Sequence, residues 1–199
     1  MKESLAKFIS QKITVGDEEM EFILSHFKPY TATKNEVLMR EGDLSSKMYF
    51  IVKGCLRIYF IKDGGTEVTR RIIFENDSSA SMVSFITQKP SRENIQAVTH
   101  SELMYMHRED FYHLVETLPS WEKFYRRQLE YAYVSNTTRL MTFITNDATE
   151  RYLLLLEENP EIVKRLPGKL VANYLNITQE GLSRLKAKLQ SLNNITERQ

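Results

Sequence analysis

"EVLMREGDLSSKMYFIVKGCLRIYFIKDGGTE", residues 36–67, sets short runs rich in Ile, Val, Tyr and Phe between turn signals: Gly42-Asp43, Gly54, and a "KDGG" that fits a tight hairpin. The same texture continues through "VTRRIIF" (68–74) and "NIQAVTHSELMYMH" (94–107). Short runs punctuated this often cannot be long helices, so the stretch predicts an antiparallel β domain of about eighty residues.

Outward from this block the pattern turns helical. Residues 17–28, "DEEMEFILSHFK", open on an acidic cap at Asp17 and place Met20, Ile23, Leu24 and Phe27 at helical spacing. "HREDFYHLVETLPSW" (107–121) reads as one helix ended or redirected at Pro119. Residues 120–146 then contain neither Gly nor Pro and carry Trp121, Phe124, Leu129, Ala132, Leu140, Phe143 and Ile144 along one stripe. A helix of ~40 Å is too long to bury against one small domain. Its most economical partner is its own copy in a homodimer, with packing inside the chain as the alternative. From 147 onward the chain reads as several short helices, with stops at Asn159-Pro160 and before Pro167-Gly168. This gives three parts: 1–117, a sensory β domain; 118–146, a long helix; and 147–199, a helical domain.

Composition narrows the function classes. The chain has 199 residues, about a quarter of them charged, which is the profile of a folded protein. The start, "MKESLAKFISQK", lacks the apolar core of a secretory signal, and no run of about 18 apolar residues occurs, so a cytoplasmic location and no membrane partner are expected. Cys55 is the single cysteine, which rules out a disulfide or an iron–sulfur cluster held within one chain. The net charge of +1 is unevenly spread: the last forty residues carry seven Lys/Arg against three Asp/Glu. A basic C-terminal segment suits nucleic acid, and equally a solvated basic helix.

The sharpest pattern is "KLVANYLNITQEGLSRLKAKL", residues 169–189. One helix carries Leu170, Val171, Tyr174 and Leu175; after a three-residue break, Thr178 opens a second with Leu182, Leu185 and Leu189 inward. Ala172 is small enough for the two to cross closely, and Ile177 can plug the turn. Gln179, Glu180, Ser183, Arg184 and Lys188 are left outward. Glutamine can pair with adenine, glutamate can accept from cytosine and arginine can fork onto guanine, while Thr178, Lys186 and Lys188 suit phosphates. A helical hairpin used only for packing is the plainer reading. Gly181 costs roughly 1 kcal/mol in a helix against alanine, and would admit close approach to a DNA backbone.

These residues resemble the cyclic-AMP receptor protein/FNR (Crp/Fnr) family of bacterial transcription regulators over essentially the whole chain. Gly42, Asp43 and Gly54 match the opening of that family's β-roll, and "TQEGLSRL" is similar to its recognition helix, with Glu180, Ser183 and Arg184 matching and Gln179 and Gly181 departing. The resemblance implies an α+β fold: an antiparallel β-roll of the cyclic-nucleotide-binding, double-stranded β-helix type, a long dimerisation helix, and a C-terminal helix-turn-helix. The wing strands look reduced or absent, because no hairpin pattern lies between Ile144 and Gly168 and only ten residues follow Leu189. It further implies a homodimer on a two-fold symmetric site in double-stranded DNA, RNA polymerase as a partner, and a small-molecule effector in the roll that the sequence does not name.

In the cyclic-nucleotide-binding members, a Gly-Glu-Leu run, a short helix and an Arg-Ser or Arg-Thr pair hold the cyclic phosphate and the ribose. Arg92 matches the arginine. Ser81, Met82 and Val83 take the places of the glycine, glutamate and leucine, and Glu93 replaces the serine or threonine. Met82 cannot accept from a ribose hydroxyl, and a carboxylate at Glu93 repels phosphate or pairs with Arg92, so cyclic AMP is not expected to bind in the usual manner. Ser81, Met82, Arg92 and Glu93 are the candidate pocket residues. His100, His107 and His113 lack metal-ligand spacing; a haem-binding regulator of the family would use a histidine as axial ligand, which leaves haem open. Neither a hydrolase constellation nor a glycine-rich nucleotide loop is present, so an enzyme is not expected. The rival reading is a ligand-sensing module that signals to a protein partner through its C-terminal helices.

Overall fold

The turn signals of residues 36–67 fall where the chain reverses. In the computed structural model, which describes residues 1–196, Gly42, Gly54, Gly64 and Gly65 all have positive φ. The last three residues of the expected segment 147–199 lie outside the described residues.

Two helices, α1 (Lys2–Ser10) and α2 (Asp17–Ser25), precede eight strands: β1 (Lys28–Ala32), β2 (Val37–Met39), β3 (Lys47–Lys53), β4 (Leu56–Ile61), β5 (Glu67–Ile73), β6 (Ser78–Ser79), β7 (Asn94–Ala97) and β8 (Ser101–His107). A short helix, α3 (Met82–Thr87), lies between β6 and β7. The strands form two four-stranded sheets, ordered β1-β8-β3-β6 and β2-β7-β4-β5. Pairing is antiparallel, with Phe50 opposite Met104 and Ile51 opposite Leu103 across β3 and β8. Strand periodicity divides the side chains between two cores. Tyr49, Ile51 and Leu103 join Met39, Leu56, Ile58, Ile73 and Ile95 inside the roll. Phe50, Met104 and Met106 face the other way and pack with Leu5, Phe8 and Ile9 of α1.

The remaining helices are α4 (Arg108–Thr117), α5 (Pro119–Thr145), α6 (Ala148–Glu158), α7 (Pro160–Arg165), α8 (Gly168–Leu175) and α9 (Gln179–Thr196). Pro119 redirects the chain by opening α5, a position where its missing N–H costs nothing. Trp121 and Phe124, in the first turns of α5, complete the helix-side core, with Trp121 stacked on Phe124 and edge-on to Phe111. Among the described residues no strand follows β8, so the reduced or absent wing is what the structure shows. Two compact units result: Met1–Phe60 with Arg71–Ser135, and Ile61–Arg70 with the chain from Asn136 on.

Gly54 is the tightest backbone position. Its φ is 104°, and a Cβ there would collide with Ser101 Oγ and lie 2.8 Å from both the His100 carbonyl oxygen and Ser101 Cα. Gly54→Ala therefore forces backbone apart as well as straining φ, and should lower unfolding free energy by about 2–4 kcal/mol. Thermal and urea unfolding check this; a loss below about 0.5 kcal/mol would show that the turn yields.

Candidate functional site

The helix-turn-helix is built by packing. Val171, Ala172 and Leu175 of α8 are buried, and Leu182 of α9 meets them at 2% exposure. Asn176 ends α8 in the left-handed region at φ 54°, and the Ile177 N–H donates to the Ala172 carbonyl at 3.0 Å, closing the turn. Thr178 stands just before α9 and its Oγ1 accepts from the Gly181 N–H at 3.0 Å, as a helix N-cap does. A Cβ on Gly181 would sit 3.2 Å from that same oxygen, so the glycine keeps the cap uncrowded.

Burial of Leu182 fixes what points out. Gln179, Glu180, Ser183, Arg184 and Lys188 are exposed, as is Thr178. Lys186 differs from the sequence expectation: it is half-buried, with its ammonium 5.9 Å from the centre of the Tyr152 ring, because its place on α9 falls between the outward row and the leucines. The exposed row thus brings together an amide, a carboxylate, a hydroxyl and a guanidinium on successive turns.

Inside the roll, the four pocket candidates do not converge. Ser81 and Glu93 do, joined by Ser91, a residue that the sequence reading did not single out. The Ser81 hydroxyl donates to Glu93 Oε2 at 2.7 Å and lies 3.0 Å from Ser91 Oγ. Ser91 Oγ accepts from the Glu93 N–H at 2.9 Å and donates to the Glu93 carbonyl at 3.1 Å. All three residues are buried. Adjacent loop backbone is sewn on by Gly42 N–H to the Ser91 carbonyl and Ser91 N–H to the Asp43 carbonyl. Arg92 is exposed and has no hydrogen bond or ion pair among the described residues, and it does not pair with Glu93. Ser91, Arg92 and Glu93 lie in the loop just ahead of β7, which turns Ser91 and Glu93 inward and leaves Arg92 exposed between them. Met82 opens α3 and leans on the helix-side core rather than on Glu93.

This knot is a poor receptor for a cyclic phosphodiester. Its two hydroxyl protons are both committed to Glu93, and Arg92 is not among its hydrogen-bonding partners. A separate surface depression of about 360 Å3, lined by Leu38, Met39, Asp43, Leu44, Ser45, Ser46, Lys47 and Tyr49, contains none of the four candidates. His100 and His113 are exposed and His107 half-buried, and among the described residues no cluster of three or more His, Cys, Asp or Glu could hold a metal ion. No helix among them is long and apolar enough to cross a membrane.

Comparison with known proteins agrees with this architecture. Residues 30–117 match the family model of the cyclic nucleotide-binding domain. A curated relative is the cyclic AMP receptor protein of Thermus thermophilus, 26% identical over 105 residues, which make up 53% of this chain and 48% of that one. The chain thus spans about half the length of the curated relative it matches. Among solved structures, the c-di-GMP responsive global regulator CLP of Xanthomonas campestris superposes with a TM-score of 0.72 at 20% identity, over 89% of this chain and 93% of that one. FixK2 from Bradyrhizobium japonicum gives 0.69 at 16% identity, over 84% and 86%. Identities this low speak to the fold alone. Residues 30–117 therefore match the cyclic nucleotide-binding domain, and the chain shares the fold of these regulators.

Proposed function

We propose that this protein is a homodimeric transcription regulator that reads a two-fold symmetric DNA site with α9, and that its roll does not hold cyclic AMP in the family's usual way. The observation that carries the reading is the exposed row Gln179, Glu180, Ser183 and Arg184, held outward by the buried Leu182 and the left-handed turn at Asn176. A hairpin kept only for packing has no need of four different hydrogen-bonding groups on its free side. A cytoplasmic location and contact with RNA polymerase belong to the same reading.

Dimerisation is supported by α5. Leu129, Tyr133, Leu140 and Ile144 are 36%, 73%, 61% and 74% exposed. At 3.6 residues per turn they fall within about 60° of one another around the helix, a stripe that a second copy would cover. Replacing both Leu140 and Ile144 by Glu should shift the protein to monomer in sedimentation velocity; an unchanged dimer would place the interface elsewhere.

The DNA reading is tested by selecting duplexes from a random pool. Arg184→Ala should cost ~1–3 kcal/mol on the preferred duplex and flatten the preference at the base it reads. An unchanged binding pattern would remove α9 from the interface, and a wild-type protein that enriches no duplex would favour signalling to a protein partner. In calorimetry, cyclic AMP should give no saturable heat, because the Ser81 and Ser91 hydroxyls already spend their protons on Glu93 and Arg92 stands outside. Saturable heat lost in Arg92→Ala would instead mean that the arginine swings in to make a working pocket.

A further inference from the structure

The last turn of α8 presents carbonyls with no helical partner, and guanidiniums from two different helices take them. Arg139 of α5 donates from Nη2 to the Tyr174 carbonyl at 2.7 Å, and Arg151 of α6 donates from Nη2 to the Leu175 carbonyl at 3.3 Å. Arg151 also donates from Nη1 to the Asn146 carbonyl at 2.7 Å, which ties the start of α6 to the same place. One residue further on, the Lys62 ammonium of the β4–β5 hairpin lies 3.4 Å from Asn176 Oδ1. Three cations thus surround the turn from which α9 departs.

Aromatic faces hold the guanidiniums in place. Arg139 lies 3.7 Å from the centre of the Tyr174 ring and 4.9 Å from that of Phe143, and Arg151 lies 5.0 Å from the Phe143 ring on its own account. Burial pushes Arg139 below the ordinary arginine range, and the like charges of Arg70 and Arg151 add to this. Cations gathered this closely repel one another. What keeps them there is the negative end of the α8 dipole, two carbonyl acceptors and two ring faces.

We propose that Arg139 and Arg151 are positioning residues that clamp the end of α8 and so fix the direction in which α9 leaves the turn. This rests on the reading of α9 as the DNA-reading helix. Neither side chain is among the outward groups of α9. Their effect on DNA is indirect: α9 starts four residues beyond Leu175, the second of the clamped carbonyls, so a small tilt of α8 moves Gln179, Glu180 and Arg184 off their base edges together. General attraction to phosphates, which tolerates a tilt, is left as it was.

The test compares wild type, Arg139→Gln, Arg139→Lys and Tyr174→Phe, each titrated with the duplex selected by wild type and with a scrambled duplex of equal length. Thermal unfolding is measured in parallel. Arg139→Gln should lose about tenfold on the selected duplex, the scale of one charge-assisted hydrogen bond, with scrambled-duplex affinity within about twofold of wild type. Arg139→Lys, which keeps the charge and one donor, should recover part of the discrimination. Tyr174→Phe keeps both carbonyl and ring face but removes the phenol that also bonds the guanidinium, and should fall between wild type and Arg139→Gln. A merely structural Arg139 would instead lower the melting temperature and weaken both duplexes alike, and that result overturns the clamp, as does a discrimination ratio unmoved in Arg139→Gln. A wild-type protein with no preferred duplex would overturn the DNA-binding reading itself, and the aiming role with it.

Discussion

Side chains alternate along β3 and β8, and both faces of the sheet they build are buried. Phe50, Met104 and Met106 go to the helices; Ile51, Tyr49 and Leu103 go to the second sheet. A slip of one residue in this pairing would exchange the two sets, putting Phe50 among the close-packed Ile and Leu of the roll and Ile51 beneath α1. Register here is therefore held by two cores at once. Fixing it also fixes where the turns lie: Gly54, immediately after β3, is brought against the His100–Ser101 backbone before β8, a crossing that only a glycine admits. The same sheet supplies the floor on which Phe8, Trp121 and Phe124 assemble, so the entry of the long helix depends on it as well.

At the polar end of the roll a different economy operates. A carboxylate taken out of water loses several kcal/mol of hydration unless donors replace it, and Glu93 has the Ser81 hydroxyl at 2.7 Å. Ser91 contributes by holding the Glu93 backbone through both its N–H and its carbonyl, which fixes the approach of the side chain rather than its charge. The Ser84 hydroxyl works in the same way nearby, accepting from the Ser45 N–H and donating to the Lys89 carbonyl, so that three buried serines stitch loop backbone around one acid. A ligand would have to displace bonds already made. The segment from Ser81 to Glu93 is spent on its own internal hydrogen bonding.

Much of this was legible from residue order. Gly42, Gly54 and "KDGG" mark turns through conformations open mainly to glycine, and the Leu182, Leu185, Leu189 spacing announces which side of α9 is inward. The first helix was not read, because Leu5, Phe8 and Ile9 are separated by charges and gain their meaning only from Phe50 and Phe124 across the core. The roll interior was half read. Glu93 stood out as a wrong charge, but pairing it with Arg92 assumed that neighbours in sequence are neighbours in space, whereas the loop before β7 buries Glu93 and leaves Arg92 exposed. Lys186, read from its type as a phosphate group, stands half-buried with its ammonium 5.9 Å from the centre of the Tyr152 ring, a placement that its type alone does not give. Arg139 and Arg151 could not be found at all, since carbonyls at a helix end leave no mark in the residues that donate to them.

The charge of the chain constrains how such a reading head could work. Of the three groups of the α9 region read as suited to phosphate, Thr178 and Lys188 are exposed and Lys186 is half-buried, and the chain as a whole carries only +1. Non-specific affinity grows with the number of phosphates neutralised, so one copy of this chain would hold DNA weakly and lose little when salt rises. Discrimination then has to come from the base edges, where Gln179, Glu180 and Arg184 offer at most three pairings. Each is worth about 1–3 kcal/mol, too little for one half-site to stand out in a genome. Joining two copies along the stripe of α5 makes the second contact intramolecular and multiplies the preference of one half-site by that of the other. On this view the exposed Leu140 and Ile144 and the outward Arg184 are parts of one requirement: a weakly charged reader becomes selective by being two-fold.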